Sequence, residues 1–168
     1  DLPAVEKWLA RRAGRPGSDR PVYFSYFGSG CLDAFDLKGA LLLPSFIDPP
    51  RRFILTLEPG TYLISATMLQ SVHNRTAFGP WCKSYEDEYK TLAARINRIE
   101  QRPQDGAELK TFAQTGLLQR YDDLRLARLC GYLRKREPDE RITFGILVYE
   151  LNQAQLDQAL SGPAPEGR

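Results

Sequence analysis

Apolar positions change period several times along the chain, and each change marks an element. Leu2, Val5, Trp8 and Leu9 recur at helical spacing, which predicts a short amphipathic helix that ends in the Gly14 to Gly17 stretch with Pro16. PVYFSYFG (21–28) is aromatic and β-branched with apolar residues on both faces, as in a strand covered on both sides. Residues 29–52 carry Gly30, Gly39, Pro44, Pro49 and Pro50, so a long loop is expected, in which Leu41 to Leu43 must still find apolar partners.

FILTL (53–57) and TYLISATM (61–68) flank Pro59-Gly60, a turn pair that predicts a hairpin, with the second run the firmer strand. From Ser84 the period lengthens: Tyr85, Tyr89, Leu92, Ile96 and Ile99 predict a helix that stops before Pro103. A polar stretch around Asp105 and Gly106 follows. Leu117, Tyr121, Leu124, Leu126, Leu129 and Leu133 then form a wide stripe over 117–136, closed by Pro138, that suits a helix lying on a sheet. ITFGILVYEL (142–151) reads as another strand covered on both faces. Asn152 with Gln155, and Leu151 with Leu156, have the spacing of a capping box and a hydrophobic staple, opening a last helix that ends near Leu160.

Strands separated by helices require crossovers, and crossovers favour parallel pairing. The expected fold is a small three-layer α/β sandwich, with a central mostly parallel sheet of three to four strands (22–27, 61–68 and 142–150) flanked by helices. Residues 1–161 are expected to make one domain, and 162–168 a flexible tail.

At 168 residues, 42% hydrophobic and 26% charged, the chain can bury a core and is not globally disordered. A net charge of +2 supplies no global field to gather phosphates or lipid head groups, and composition gives no support for nucleic acid. No apolar run reaches the roughly 20 residues of a spanning helix, so the segment itself is expected to be soluble. Because it begins at Asp1 without a leader, it is expected to derive from a longer polypeptide. Cys31, Cys82 and Cys130 form no CxxC pair, so neither a zinc ribbon nor a thioredoxin site is encoded. No metal, no cofactor and no catalytic residue is expected.

His73 is the single histidine, and a loop position after a strand suits it better than a catalytic triad. GSG at 28–30 follows a strand but lacks the Lys and Ser/Thr of a phosphate loop, so its glycines are read as turn formers. Open α/β sheets bind ligands beyond the carboxyl ends of their strands. Ser25, Tyr26, Ser65, Thr67 and Gln70 lie there, with Trp81 close by in sequence, and these six form the candidate ligand pocket. Against this stands a plainer reading, in which the hydroxyls serve local backbone groups and Trp81 belongs to the core. The charge run RKREPDER (134–141) is read as a solvated helix end.

The strings DLPAVEKWL, PVYFSYFGSG, PGTYLISATMLQSV and LRLARLCGYLRKREPDERITFGILVYEL, in this order, resemble the soluble C-terminal region of bacterial membrane glycosyltransferases related to the protein O-mannosyltransferase family. The most specific pieces are YFG after the first strand, ISAT followed by LQ, and REP leading into a strand that ends in VYEL. The resemblance spans nearly the whole chain. It implies a polytopic enzyme whose transmembrane part precedes Asp1, with this domain on the extracytoplasmic, periplasmic side of the inner membrane. It also implies a polyprenyl-phosphate-linked sugar as donor, and a catalytic carboxylate in a loop outside this segment. CLDAFDLKG (31–39) and residues 72–83 depart from the pattern.

Two functions follow as expectations. One is an accessory domain that seats the lipid-linked sugar or the glycan acceptor over the transmembrane part of the same polypeptide; the other is a free-standing extracytoplasmic binding module. Cys31 and Cys82 each follow a predicted strand, so parallel neighbours and an oxidising compartment would permit a disulfide between them, three free thiols being the alternative.

Overall fold

The structure, a computed structural model, describes residues 1–13, 18–30, 32–47, 53–71, 74, 76–101 and 106–165. Cys31, His73 and the Gly14 to Gly17 helix stop lie outside them.

Among the described residues a sheet of five strands forms in the order β2-β1-β3-β5-β4. The strands are β1 (Val22–Ser25), β2 (Ala40–Leu42), β3 (Gly60–Ser65), β4 (Glu140–Ile142) and β5 (Ile146–Leu151). β1 pairs parallel with both β2 and β3, while β5 runs antiparallel to β3 and to β4. Four strands therefore point the same way, and the chain is a mixed α/β sandwich. The helices are α1 (Leu2–Arg12), α2 (Ala66–Leu69), α3 (Lys83–Gln101), α4 (Gly106–Gln114), α5 (Leu117–Leu133) and α6 (Gln153–Ser161). None is long and apolar enough to cross a membrane.

Alternation along the strands sorts the core into two faces. Val22, Phe24, Leu63, Ile146 and Val148 meet Leu2, Val5 and Trp8 of α1 on one side. Tyr23, Tyr62, Ile64, Tyr149 and Leu151 meet α2, α5 and α6 on the other, through Met68, Leu126, Leu129, Leu133 and Leu156. A third cluster joins the outer side of α5 to α3 and α4 through Tyr89, Ile96, Phe112, Tyr121 and Leu124. α5 is thus wedged between the sheet and an outer helical layer. Residues 121–131 are buried on every side, arginines included.

Several expectations need correction. The loop predicted over 29–52 contains β2, because Leu41 and Leu42 extend the sheet beside Tyr23 and Phe24. Residues 53–57 form no strand, and instead run irregularly beneath Arg125 of α5, which takes two of their carbonyls. β3 stops at Ser65 because that side chain caps α2, accepting from Met68 N at 3.4 Å. The stretch after Asp105 forms α4, which the outer cluster holds through Phe112. The run 142–151 is broken at Thr143, whose φ of +58° is uncommon for a β-branched residue, and the resulting hairpin returns β5 antiparallel. Beyond α6, Gly162 O accepts from Arg128, Pro163 and Ala164 are exposed and Pro165 is buried against Gly131; residues 166–168 of the predicted tail lie outside the described residues.

Other expectations hold. Strands β1 and β3 are buried throughout and pair parallel with Ser25 opposite Ile64. Their close approach requires Gly60, where a Cβ would stand 2.3 Å from Pro21 O. α6 opens with the predicted capping box, each partner bond 2.9 Å.

Candidate functional site

The structure does not gather the six candidate residues into one pocket. The Ser25 hydroxyl is fully buried and donates to Pro44 O at 2.6 Å, and Ser65 is spent on the α2 cap. Tyr26 continues the sheet, its N donating to Ser45 Oγ and its O accepting from Phe46 N. Its phenol covers Gly28 and Gly30, so closely that a Cβ at Gly28 would meet the Tyr26 oxygen at 2.3 Å. The GSG turn is therefore a packing device, as its glycines imply. Thr67 is half-buried on α2 and Gln70 is exposed just beyond it. Trp81 sits in the outer cluster and donates to Glu86 Oε2 at 2.9 Å.

That carboxylate is the hub of a buried network. Glu86 Oε2 also accepts from Arg128 Nε, and Oε1 from Arg128 Nη2, each at 3.0 Å, while Lys90 Nζ approaches Oε1 to 3.1 Å. Burial pushes the Glu86 carboxyl up, but hydrogen bonds from Arg128, Trp81 and Lys90 outweigh it and hold the group below its ordinary value. Arg128 spends its other donors on Ala159 O and Gly162 O at the end of α6. Arg125, three residues earlier, holds Leu55 O and Ile54 O and lies over the rings of Phe53 and Tyr121. These buried guanidiniums fasten α5 to carbonyls from two parts of the chain, residues 54–55 and the end of α6. Their signal in the sequence was arginine placed inside the leucine stripe with Glu86 available on a partner helix.

The two phenols on the α5 side of the sheet act similarly. Tyr23 and Tyr62 stack at 4.6 Å, and their hydroxyls take both backbone groups of Glu58, Tyr23 accepting from N and Tyr62 donating to O. Burial raises the pKa of both, so they remain protonated hydrogen-bonding groups rather than acids.

The cysteines separate in the same way. Cys82 is exposed and free, and its hydrogen bonds with Ser84 and the Tyr85 backbone lower its pKa; Cys130 is buried and free, and burial pushes it up to about 12. A Cys31–Cys82 bridge is not present, and Cys31 itself lies outside the described residues.

One cavity includes a predicted residue. It measures about 410 Å³ and lies between the end of α5, the end of α2 and β5, lined by Leu69, Gln70, Arg134, Arg136, Leu147 and Tyr149 among others. The charge run read as a solvated helix end is exposed at Lys135, Glu137 and 139–141, but Arg134 and Arg136 are half-buried and line the cavity. Arg134 Nη1 donates to Leu69 O at 2.7 Å and Ser71 Oγ at 3.2 Å, tying α5 to α2. Arg136 lies 5.8 Å over the Tyr149 ring, and its Nη2 donates to Asp139 Oδ2 at 2.7 Å. Its Nη1 is shut off from solvent with no acceptor among the described residues. A second cavity of about 410 Å³ opens between α3 and α6, but its charged groups are already matched: Lys90 by Glu86, Arg125 by Asp122, and Asp157 by Gln153.

The chain matches no family model, no curated protein and no solved structure.

Proposed function

We propose that this chain is the accessory soluble domain of a polytopic bacterial glycosyltransferase that uses a polyprenyl-phosphate-linked sugar. It would lie on the periplasmic face and seat donor or acceptor without being catalytic alone. One observation carries the reading. Two separate parts of the resemblance line one cavity: LQ as Leu69 and Gln70, and, about seventy positions on, the stretch from REP to VYEL as Arg136 to Pro138 and Tyr149, which the β4–β5 hairpin holds together. β1, which YFG follows, β3, which ends within ISAT, and β5, which carries VYEL, are also direct neighbours, β1 beside β3 and β3 beside β5.

The coding sequence upstream of Asp1, with the side of the membrane on which the domain lies, tests the proposal. Several hydrophobic spans and protease sensitivity from the periplasmic side are expected. A start codon or signal peptide immediately before Asp1 would contradict it and favour a free-standing module.

A further inference from the structure

We infer that the cavity between α5, α2 and β5 binds a phosphate group, with Arg136 and Lys135 as its principal donors and Arg134 as a fixed wall. The phosphate site rests on the chemistry of the cavity itself, and only its lipid-headgroup arm rests on the glycosyltransferase reading.

Three consecutive cations, Arg134, Lys135 and Arg136, line the cavity against a single carboxylate, Glu137. That carboxylate is 93% exposed and turned to Arg141 at 3.5 Å. Asp139, which pairs with Arg136 at 2.7 Å and also accepts from Glu150 N at 2.8 Å, does not line the cavity. Lys135 is exposed and makes no ion pair among the described residues. Arg134 spends its hydrogen bonds on a carbonyl and a hydroxyl, neither of which neutralises it.

Arg136 supplies the sharper argument. Buried donors are nearly always satisfied, and a charged donor left without an acceptor is among the costlier arrangements a fold retains. The Tyr149 ring covers one face of the guanidinium, Asp139 takes Nη2, and Nη1 is closed off without an acceptor among the described residues, so an anion in the cavity gains this donor only when the side chain turns outward. A tetrahedral anion with several acceptor oxygens can then engage Arg136 and Lys135 together, as charge-assisted bonds to phosphate require. The volume exceeds what a bare phosphate needs, and Leu69, Leu147 and Tyr149 add an apolar wall for an organic substituent. The phosphate could come from a lipid headgroup or from a free phosphate ester.

Calorimetric titration of the chain with inorganic phosphate, and separately with farnesyl phosphate, at ionic strength fixed by chloride, tests the inference. Saturable one-to-one binding is expected. Lys135→Gln and Arg136→Gln should each weaken it about tenfold, the loss of one hydrogen bond to a charged group, while Lys110→Gln on α4 leaves it unchanged. Should Arg136→Gln fail to fold, Lys135→Gln still decides, because Lys135 is exposed and holds nothing together. Farnesyl phosphate binding at least tenfold tighter than inorganic phosphate, with the same loss in Lys135→Gln, identifies a lipid headgroup; equal binding identifies a free phosphate. Absence of saturable phosphate binding, or binding that all three variants leave unchanged, would overturn the inference.

Discussion

Removing Glu86 should damage this fold more than any surface change. Glu86→Ala takes away the acceptor for Trp81 Nε1 and for two donors of Arg128, a residue with no exposed surface. Arg128 keeps its bonds to Ala159 O and Gly162 O, so the side chain is held in place with its charge uncompensated. Breaking one partner of a buried pair costs about 3–5 kcal/mol, against a total stability on the order of 5–15 kcal/mol for a domain of this kind. At roughly 2–4 °C per kcal/mol for this size, the melting temperature should fall by about 6–20 °C. Urea denaturation followed by circular dichroism reads the free energy. In a Trp8→Phe background, fluorescence isolates Trp81 and should report its lost hydrogen bond. The double variant Glu86→Leu, Arg128→Met should recover most of the loss, since apolar groups of similar volume commonly replace buried ion pairs without penalty. A cost below about 1 kcal/mol for Glu86→Ala would refute the reasoning, because it would mean that solvent reaches Arg128.

Two further outcomes follow from the same geometry. Because the folded-state pKa of Glu86 is depressed, its contribution is present above the unfolded carboxylate range near 4.3 and is lost as pH falls through the lower folded value. Stability measured between pH 6 and pH 3 should therefore decline in the native chain and decline less steeply in Glu86→Gln; parallel curves would contradict the assignment. In a Cys31→Ser background, a thiol reagent at pH 7.5 should label Cys82 quickly and Cys130 only on unfolding, given an exposed, lowered thiol against a buried one. Equal rates would show that α5 opens readily.

The elements that periodicity revealed are those whose surroundings are simple. β1, β3 and β5 were legible because both faces of each meet apolar layers, and the α6 cap because its signal is local. β2 was not, since a three-residue strand held by pairing with β1 leaves no period to read. FILTL has strand composition, but Arg125 captures its carbonyls, and that contact spans about seventy positions. At the candidate site, Ser65 caps the adjoining helix and Ser25 donates to Pro44 O nineteen positions away, roles that their position at strand ends could not distinguish from ligand binding. Arg134 and Arg136 were hidden for the opposite reason. A mixed charge run normally faces water, and only the fold of α5 onto α2 and β5 reveals the cavity they line.

Sugar transfer by membranes carrying the full-length polypeptide tests the functional account most directly. Transfer from a polyprenyl-phosphate sugar should occur with the domain intact and fall at least about tenfold when residues 1–168 are deleted, a loss equivalent to about 1.4 kcal/mol of transition-state stabilisation. The isolated chain should transfer nothing. Transfer that is unchanged by the deletion, or turnover by the chain alone, would contradict it.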